Sequence, residues 1–266
     1  MGDPVEEYRQ LLDDEAEEQA YQNFLENNTK FIPRHFVQNH GVHMNLAIRK
    51  LKLSNDMITD FVILSKSSIS WSYILIEIEK PSSRFFKPGS IDVHSDFVSG
   101  VKQIKTWQSW FSKPGNKEHF EAQLRFLKKP ISNTPVEIKY ILVSGRRREF
   151  EGSEDKIHTI RSYESHDFKI MSFDSLAENA MKNEELYLGV RKQGAVLIKS
   201  QKLLDMTFLH WCNESDFILN EGIKNLFLTQ LTRKKKKKTN AGALGKLAAK
   251  NTDDIIRKVG NMRVST

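Results

Sequence analysis

An uninterrupted apolar run, Tyr73–Ile76, leads directly into the charged segment Glu77–Pro81. Apolar side chains on both faces of a strand predict a central strand that is covered on both sides. A second short apolar segment, Thr59–Leu64, precedes this run and has the same character. The pattern therefore predicts two neighbouring strands, near 59–65 and 71–79.

Helix and strand patterns alternate along the rest of the first two thirds of the chain. Helices are predicted where apolar residues recur every three or four positions, and strands where short apolar runs end at turn residues. The predicted helices are 5–30, 96–111, 117–128, 154–164 and 174–182, the last capped by Asp174, and the further strands are 136–144 and 168–173. This alternation indicates an α/β sandwich.

The C-terminal third has a weaker pattern. Residues 186–198 predict a hairpin that turns at Gln193-Gly194, and helical stretches follow near 200–211 and 214–231. From Arg233 the chain is basic with little apolar periodicity, which is typical of a disordered or weakly helical tail. The predicted parts are an N-terminal helical and mixed segment (1–58), an α/β core (59–183), a hairpin and helical extension (184–232) and the basic tail (233–266).

Charge and cysteine content indicate the surroundings of the protein. The net charge of +7 suggests a polyanionic partner, but residues 233–238 contribute six of these charges, so the folded body is nearly neutral. Cys212 is the only cysteine, which excludes an internal disulfide and a cysteine-rich zinc site. No hydrophobic signal region and no apolar run of membrane-spanning length is present in the sequence, so we expect a cytoplasmic protein without membrane association.

Three carboxylates are carried by the two central strands. Glu77 and Glu79 point to one face because strand side chains alternate, Lys80 points to the other, and Asp60 lies in the preceding strand. Such a group can bind a hard cation, and Mg²⁺ or Mn²⁺ bound in this way serves phosphate chemistry. The alternative is a polar sheet face, with Asp60 at the start of a strand by chance. The residues alone leave both interpretations open.

Six segments, in order and at similar spacing, resemble the core of the Shedu family of bacterial anti-phage defence proteins. The resemblance covers residues 20–180 and extends to the two strands described above. The segments are Phe24–Asn28, Thr59–Ile63, Ile76–Pro81, Gly100–Trp107, Ile141–Arg146 and Met171–Leu176. That family is similar to the PD-(D/E)XK nucleases, so the resemblance implies that residues 59–183 form a restriction-endonuclease-like core, a central mixed sheet flanked by helices.

The resemblance also implies roles for individual residues. Asp60 would be the first metal ligand and Glu77 the second, with Glu79 at the third catalytic position, where many relatives carry lysine and others glutamate. Gln103 would face the site and hold water or phosphate. Lys80 would help only if a bulge turned its side chain round; otherwise the role of base passes to Glu79 or to metal-bound water.

Two basic segments are candidates for nucleic-acid contact. Arg146 and Arg147 follow a strand end, where open α/β sheets tend to bind ligands, and they are suited to DNA phosphates. They equally suit a solvated turn, or ion pairs with the nearby acids Glu149 and Glu151. Lys234, Lys235 and Lys236 in the tail would bind nucleic acid without sequence preference, or would only increase solubility.

The favoured interpretation is a Mg²⁺- or Mn²⁺-dependent DNA endonuclease that acts on phage DNA. The alternative is a protein of the same fold that binds nucleic acid or a phage component without cutting. By resemblance we expect a homo-oligomer, with residues 184–232 as the candidate interface.

Overall fold

The computed structural model describes residues 2–14, 17–40, 43–128, 134–192, 194–199, 209, 211–239 and 242–265. In this part of the chain, nine strands form one mixed sheet in the order β5-β4-β3-β2-β1-β6-β7-β8-β9. The strands are β1 Leu46–Arg49, β2 Phe61–Lys66, β3 Trp71–Ile78, β4 Val136–Val143, β5 Phe168–Met171, β6 Tyr187–Lys192, β7 Ala195–Lys199, β8 Phe217–Leu219 and β9 Arg263–Val264. The helices are α1 Pro4–Asp13, α2 Glu18–Asn27, α3 Ser95–Phe111, α4 Asn116–Lys128, α5 Glu154–Arg161, α6 Phe173–Ala180, α7 Glu221–Thr239 and α8 Gly242–Asn261.

Helices cover both faces of the sheet, as the apolar run in β3 predicts. Alternate side chains of β3 enter different cores. Tyr73 and Leu75 belong to the core that also contains residues of α3, α4, α7 and α8, whereas Ile74 and Ile76 belong to the core that contains residues of α1, α2 and α6. The protein is therefore a mixed α/β sandwich whose central strands are buried on both sides.

The sheet combines parallel and antiparallel pairs. Strand β2 is antiparallel to both β1 and β3, whereas β3 is parallel to β4 and β4 to β5. Strand β6 pairs in parallel with β1, so the sheet continues from the core into the C-terminal third. As a result β1, β3, β4 and β6 run in the same direction, and their C-terminal ends lie along the same side of the sheet.

The single helix predicted over 5–30 is wrong, because α1 and α2 are separate helices. Leu12 and Tyr21 both enter the core formed with α6. Nine residues span about two and a half turns of an α-helix, so in one straight helix these two side chains would face opposite directions. The break between α1 and α2 allows both to face the sheet, and the Tyr21 hydroxyl donates to the Leu11 carbonyl oxygen at 2.5 Å.

Smaller corrections concern the ends of elements. Asp60 lies directly before β2 and Glu79 directly after β3, so neither acid is a strand residue. Ser172, not Asp174, occupies the N-cap position of α6; the Asp174 carboxylate instead binds Arg146.

The C-terminal third differs from the sequence pattern in two places. The hairpin predicted over 186–198 is present as β6 and β7, whereas residues 214–231 contain a short 3₁₀ turn, β8 and the start of α7. Most of the stretch 200–211 lies outside the described residues. The tail, predicted as disordered or weakly helical, contains the end of α7, the helix α8, which buries Ile255 and Val259, and the short strand β9. None of the described helices is both long and apolar enough to cross a membrane.

Candidate functional site

Asp60 and Glu77 meet because β2 and β3 are antiparallel neighbours. The register pairs Phe61 with Ile76, so the residue before β2 lies beside the end of β3. The Asp60 N–H donates to the Ile76 carbonyl oxygen at 3.1 Å, and Asp60 Oδ2 accepts the Ile78 N–H at 2.7 Å. The two residues that flank Glu77 therefore hold Asp60, Ile76 through the Asp60 N–H and Ile78 through the buried carboxylate.

Helix α3 brings Gln103 to Glu77. Gln103 Nε2 donates to Glu77 Oε1 at 2.5 Å. Gly100 permits this close approach, because a Cβ there would lie 3.1 Å from Leu142 Cδ1 and 3.3 Å from Glu79 Oε1. The other oxygen of Glu77, Oε2, is buried and has no hydrogen-bond partner among the described residues. An unsatisfied buried carboxylate oxygen is costly, so this atom is a natural place for a proton or a cation.

The site concentrates negative charge. Burial, followed by the charges of Asp60 and Glu79, raises the pKa of Glu77 to about 9. Burial, followed by the charges of Glu18, Asp60 and Asp96, also raises the pKa of Glu79 above its usual value. Because neighbouring buried carboxylates repel one another, Glu77 holds a proton at neutral pH unless a cation takes its place.

Lys50 supplies a cation that the sequence patterns did not indicate. Its Nζ lies 2.5 Å from Asp60 Oδ1, and its N–H donates to the Asp60 carbonyl oxygen at 2.9 Å. Lys50 follows β1 with a φ of 49°, a left-handed conformation that is uncommon for lysine. Nothing in the sequence signals this contact, because it depends on the pairing of β1 with β2, which places Arg49 opposite Phe61.

Helix α2 adds two further polar side chains that sequence analysis missed. Gln22 Nε2 donates to Glu18 Oε1 at 3.0 Å and lies 3.4 Å from Asp60 Oδ1. Gln22 is buried. The apolar stripe of α2 predicts packing, but it does not distinguish a polar side chain that faces the sheet from one that faces solvent.

Lys80 does not take part in this cluster of contacts. Its side chain is exposed, and its charge only offsets part of the rise in the pKa of Glu79, without a hydrogen bond or ion pair between the two in the described structure. Its carbonyl oxygen accepts the N–H groups of Ser83 at 3.0 Å and Gly145 at 3.4 Å. Lys80 therefore joins the ends of β3 and β4, and its catalytic role stays a prediction.

The residues present suit a divalent metal ion bound through two carboxylates. Mg²⁺ is commonly held by one or two carboxylates and several waters, and Asp60 and Glu77 offer such a pair with one oxygen unsatisfied. Within the described residues, no three His, Cys, Asp or Glu side chains form a ready-made metal site. Glu79 is therefore not gathered with the other two acids into a closed set of three ligands.

The two predicted arginines are held in ion pairs. Arg146 binds the Asp174 carboxylate through Nε at 3.1 Å and Nη2 at 3.0 Å. Arg147 binds both carboxylate oxygens of Glu178, and its N–H donates to Asp174 at 2.7 Å. Both arginines thus pair with acids of α6 rather than with Glu149 and Glu151, and their contact with DNA stays a prediction.

The three predicted lysines lie on α7, which packs against α8. Lys234 and Lys236 are exposed, whereas Lys235 forms an ion pair with Asp253 of α8 at 2.6 Å. Helix α7 reaches the sheet through Phe227, whose ring centroid lies 5.8 Å from that of Tyr187 on β6. No interaction connects these lysines with Asp60 or Glu77 in the described structure.

These features define a mixed α/β protein with a polar, acid-rich centre at the ends of its central strands. The family model of the Shedu protein SduA, C-terminal, matches residues 15–177, which is more than half of the chain. The chain therefore belongs to the Shedu family of anti-phage defence proteins, and the resemblance seen in the sequence is confirmed. The match contains every acid of the site and Gln103, and it ends before β6. No curated protein matches the chain.

Proposed function

We propose that the protein is a Mg²⁺- or Mn²⁺-dependent DNA endonuclease that cleaves phage DNA on a restriction-endonuclease-like core. The observation that carries the proposal is the pairing of Asp60 with Glu77. The register places the Glu77 carboxylate beside the buried Asp60 carboxylate, and Glu77 has a raised pKa and a buried oxygen that lacks a partner among the described residues. A purely structural pair of acids would be expected to have its hydrogen bonds satisfied.

The metal would be held by Asp60 and Glu77, with Glu79 as a third ligand or as a proton acceptor. When bound, such a metal lowers the pKa of a water molecule and stabilises the charge that develops on the phosphate. Asp60 keeps one oxygen oriented by the Ile78 N–H, and Gln103 orients Glu77 by donating to Oε1. Both carboxylates are thus fixed before any ligand arrives.

Lys50 takes the place of the lysine that the motif lacks. Glu79 stands at the position where many relatives have lysine, whereas Lys50 reaches the same acids from the end of β1. Its ammonium group contacts Asp60 Oδ1, and the Lys50 side chain is 40% exposed, so in this proposal it also faces a phosphate oxygen on the open side of the site. In this proposal Lys50 stabilises the negative charge of the scissile phosphate and does not need to lose its proton.

The test is cleavage of linear and supercoiled DNA with Mg²⁺ or Mn²⁺. Asp60→Asn and Glu77→Gln should abolish cleavage, because each removes a carboxylate charge with little change in shape. Glu137→Gln is the matched control, since Glu137 is an exposed glutamate near the start of β4, at the opposite edge of the sheet. Metal binding is read separately from the change in Tm on addition of Mn²⁺.

The alternative function, binding of nucleic acid or a phage component without cutting, makes a different prediction. It is favoured by the absence of a lysine at position 79 and by the lack of a closed three-acid metal set in the described residues. Intact DNA after incubation with every metal, together with retained DNA binding by Glu77→Gln, would establish this alternative. A plaque assay with the same variant then shows whether defence depends on Glu77.

The proposed assembly is a homo-oligomer whose interface lies within residues 184–232. Light scattering of the purified protein measures its mass directly. A monomer at micromolar concentration would remove this part of the proposal without affecting the nuclease.

A further inference from the structure

A cavity of about 360 Å³ lies beyond the end of β3, between the loop that leads to α3 and the turn that follows β4. The charged side chains lining it are five cations and one acid. They are Arg84, Lys87, Arg146, Arg148 and Lys156, with Glu149 as the acid. We call this cavity the basic pocket. An excess of cations around one concave surface is the arrangement that binds phosphate groups.

The basic pocket has firmly positioned walls. Gly145 has a φ of 53°, and a Cβ at this residue would lie 2.6 Å from the Ser83 carbonyl oxygen. The chain after β4 therefore packs directly on the loop after β3. Glu149 fastens the same loop from the other side, because one of its carboxylate oxygens accepts the N–H groups of Phe85 at 2.9 Å and Phe86 at 3.3 Å.

Among the described residues, Glu149 is the only acid that lines the basic pocket, and one of its carboxylate oxygens already accepts two backbone N–H groups. The cations differ in the contacts that their side chains make. Lys156 is fixed, since its Nζ donates to the Glu149 carbonyl oxygen at 2.9 Å and lies 5.0 Å from the centroid of the Phe86 ring. The Arg84 guanidinium makes no hydrogen bond or ion pair with any described residue. Lys87 approaches Asp92 only at 3.9 Å, with both side chains exposed, so this pair contributes little.

A second cavity, of about 380 Å³, shows that basic residues alone do not make such a site. Its lining contains Arg9, Arg146, Arg147 and Arg148, but also Asp13, Glu151, Asp174 and Glu178. Here acids match the cations in number, and Arg147 binds Glu178 through both oxygens. This second cavity is neutralised by its own side chains, whereas the Arg84 guanidinium of the basic pocket has no carboxylate partner among the described residues.

The basic pocket is adjacent to the acidic site. Its lining begins at Pro81 and Ser82, which follow Glu79 closely in the chain. Asp96 joins the two regions, because its carboxylate accepts the Arg84 N–H at 3.2 Å while its charge contributes to the raised pKa of Glu79. Arg84 itself lies on the chain segment that directly follows β3 and Glu79.

We infer that the basic pocket binds a backbone phosphate of the DNA strand adjacent to the scissile phosphate, through Arg84, Lys87 and Lys156. This inference rests on the proposed nuclease function and adds a DNA-positioning site to it. Arg84 can bind two phosphate oxygens at once, and Lys87 and Lys156 supply further charge. The pocket sets where the strand lies relative to the acids, so its residues are positioning residues.

The test compares the double variant Arg84→Ala/Lys87→Ala with Lys113→Ala/Lys199→Ala. Both pairs are exposed and remove two positive charges, but Lys113 follows α3 and Lys199 ends β7, at the opposite edge of the sheet. DNA affinity is measured in the Glu77→Gln background, so that no cleavage occurs, at several salt concentrations. We expect the pocket variant to bind DNA about tenfold more weakly, and its salt dependence to fall by about 0.9 in log–log slope for each phosphate that the variant no longer neutralises.

The outcomes of the test distinguish a failure of the pocket assignment from a failure of the nuclease proposal. In cleavage assays the pocket variant should raise KM with a nearly unchanged kcat, as expected when an interaction that serves only binding is removed. If the pocket and control variants bind DNA equally well, the inference is overturned even though the wild type cuts DNA. If the wild type binds DNA through Arg84 and Lys87 but never cuts, the pocket stands and the nuclease proposal falls.

Free phosphate compounds are the other source of the same chemistry. Calorimetric titration of the wild type with inorganic phosphate and with ATP distinguishes them from DNA. Tight binding of either ligand that disappears in Arg84→Ala/Lys87→Ala, together with unchanged DNA affinity, would assign the pocket to a free ligand and overturn the DNA assignment.

Discussion

The ammonium group of Lys50 lies 2.5 Å from Oδ1 of Asp60, and the N–H of Lys50 donates to the carbonyl oxygen of the same residue. This double contact places a cation from the end of β1 beside an acid that precedes β2. The acidic site therefore contains its own positive charge, although the position two residues after Glu77 holds Glu79 rather than lysine.

Lys50→Met should lower the rate of DNA cleavage by about 100-fold, comparable with the loss of one charge-stabilising group in an active site. Metal affinity should not weaken, since Asp60 loses the cation that competes with a metal for Oδ1. The measurements are kcat on plasmid DNA and the Mn²⁺ dependence of Tm. Lys52→Met is the control, because Lys52 is an exposed lysine two residues further along.

A second variant makes this test independent of folding defects. If Lys50 replaces the lysine of the motif, Lys50→Met/Glu79→Lys should recover part of the lost activity. A fully active Lys50→Met protein would contradict the role of Lys50. An inactive double variant with normal Tm and normal metal binding would show that a lysine at position 79 cannot replace Lys50.

Glu77→Gln should stabilise the metal-free protein while abolishing cleavage. The pKa of Glu77 is raised from 4.5 to about 9 in the folded protein, chiefly by burial, so folding favours its protonated form. The free energy of unfolding of the wild type therefore falls relative to that of the variant as the pH rises from about 4.5 to about 9. Below this window the difference between the two proteins no longer changes with pH. Urea denaturation at pH 5, 7 and 9 without divalent metal measures the difference.

Addition of divalent metal at pH 8 should make the wild type more stable than Glu77→Gln, the reverse of the order without metal. Mn²⁺ stabilises the wild type in proportion to its occupancy, whereas Glu77→Gln lacks one carboxylate and should respond weakly. Glu137→Gln should respond to Mn²⁺ as the wild type does, because Glu137 is exposed and pairs with Lys139 near the start of β4, away from the acidic site. A stability difference between wild type and Glu77→Gln that does not change from pH 5 to pH 9 would show that Glu77 is not buried among other acids.

The sequence predicts the parts of this site that depend on neighbouring residues, and it misses those that depend on residues far apart in the chain. The alternation of Ile76 to Lys80 is local, so β3 and its terminal acids were predictable, and Asp60 followed from the next apolar segment. Lys50 was not, because its role depends on the order and register of strands that are ten or more residues apart. Strand β8, with three residues, is too short to show a period.

Gly145→Ala should destabilise the protein more than Gly89→Ala. Both glycines have a positive φ, 53° and 68°, so both variants carry backbone strain. Only at Gly145 would the new Cβ also collide with backbone, 2.6 Å from the Ser83 carbonyl oxygen, whereas nothing lies within 4 Å at Gly89. We expect about 1 kcal/mol for Gly89→Ala and a substantially larger loss for Gly145→Ala, measured by chemical denaturation.

The same pair of variants also tests the wall of the basic pocket. A folded Gly145→Ala protein should bind DNA more weakly than the wild type, because displacement of the loop after β3 moves Arg84. Equal stability of the two variants would show that β4 and this loop are not in direct contact.

Phe227→Ala should reveal whether the basic helix α7 belongs to the folded body. Phe227 is fully buried and packs against Tyr187 of β6, whereas its neighbour Leu226 is 39% exposed. Loss of a buried phenylalanine costs about 3–5 kcal/mol, but truncation of an exposed leucine changes stability by about 0.5 kcal/mol or less. Urea denaturation of Phe227→Ala and Leu226→Ala measures both. Equal, small effects would mean that α7 and its lysines are not packed on the sheet, and the tail would then resemble the disordered or weakly helical segment that the sequence pattern predicts.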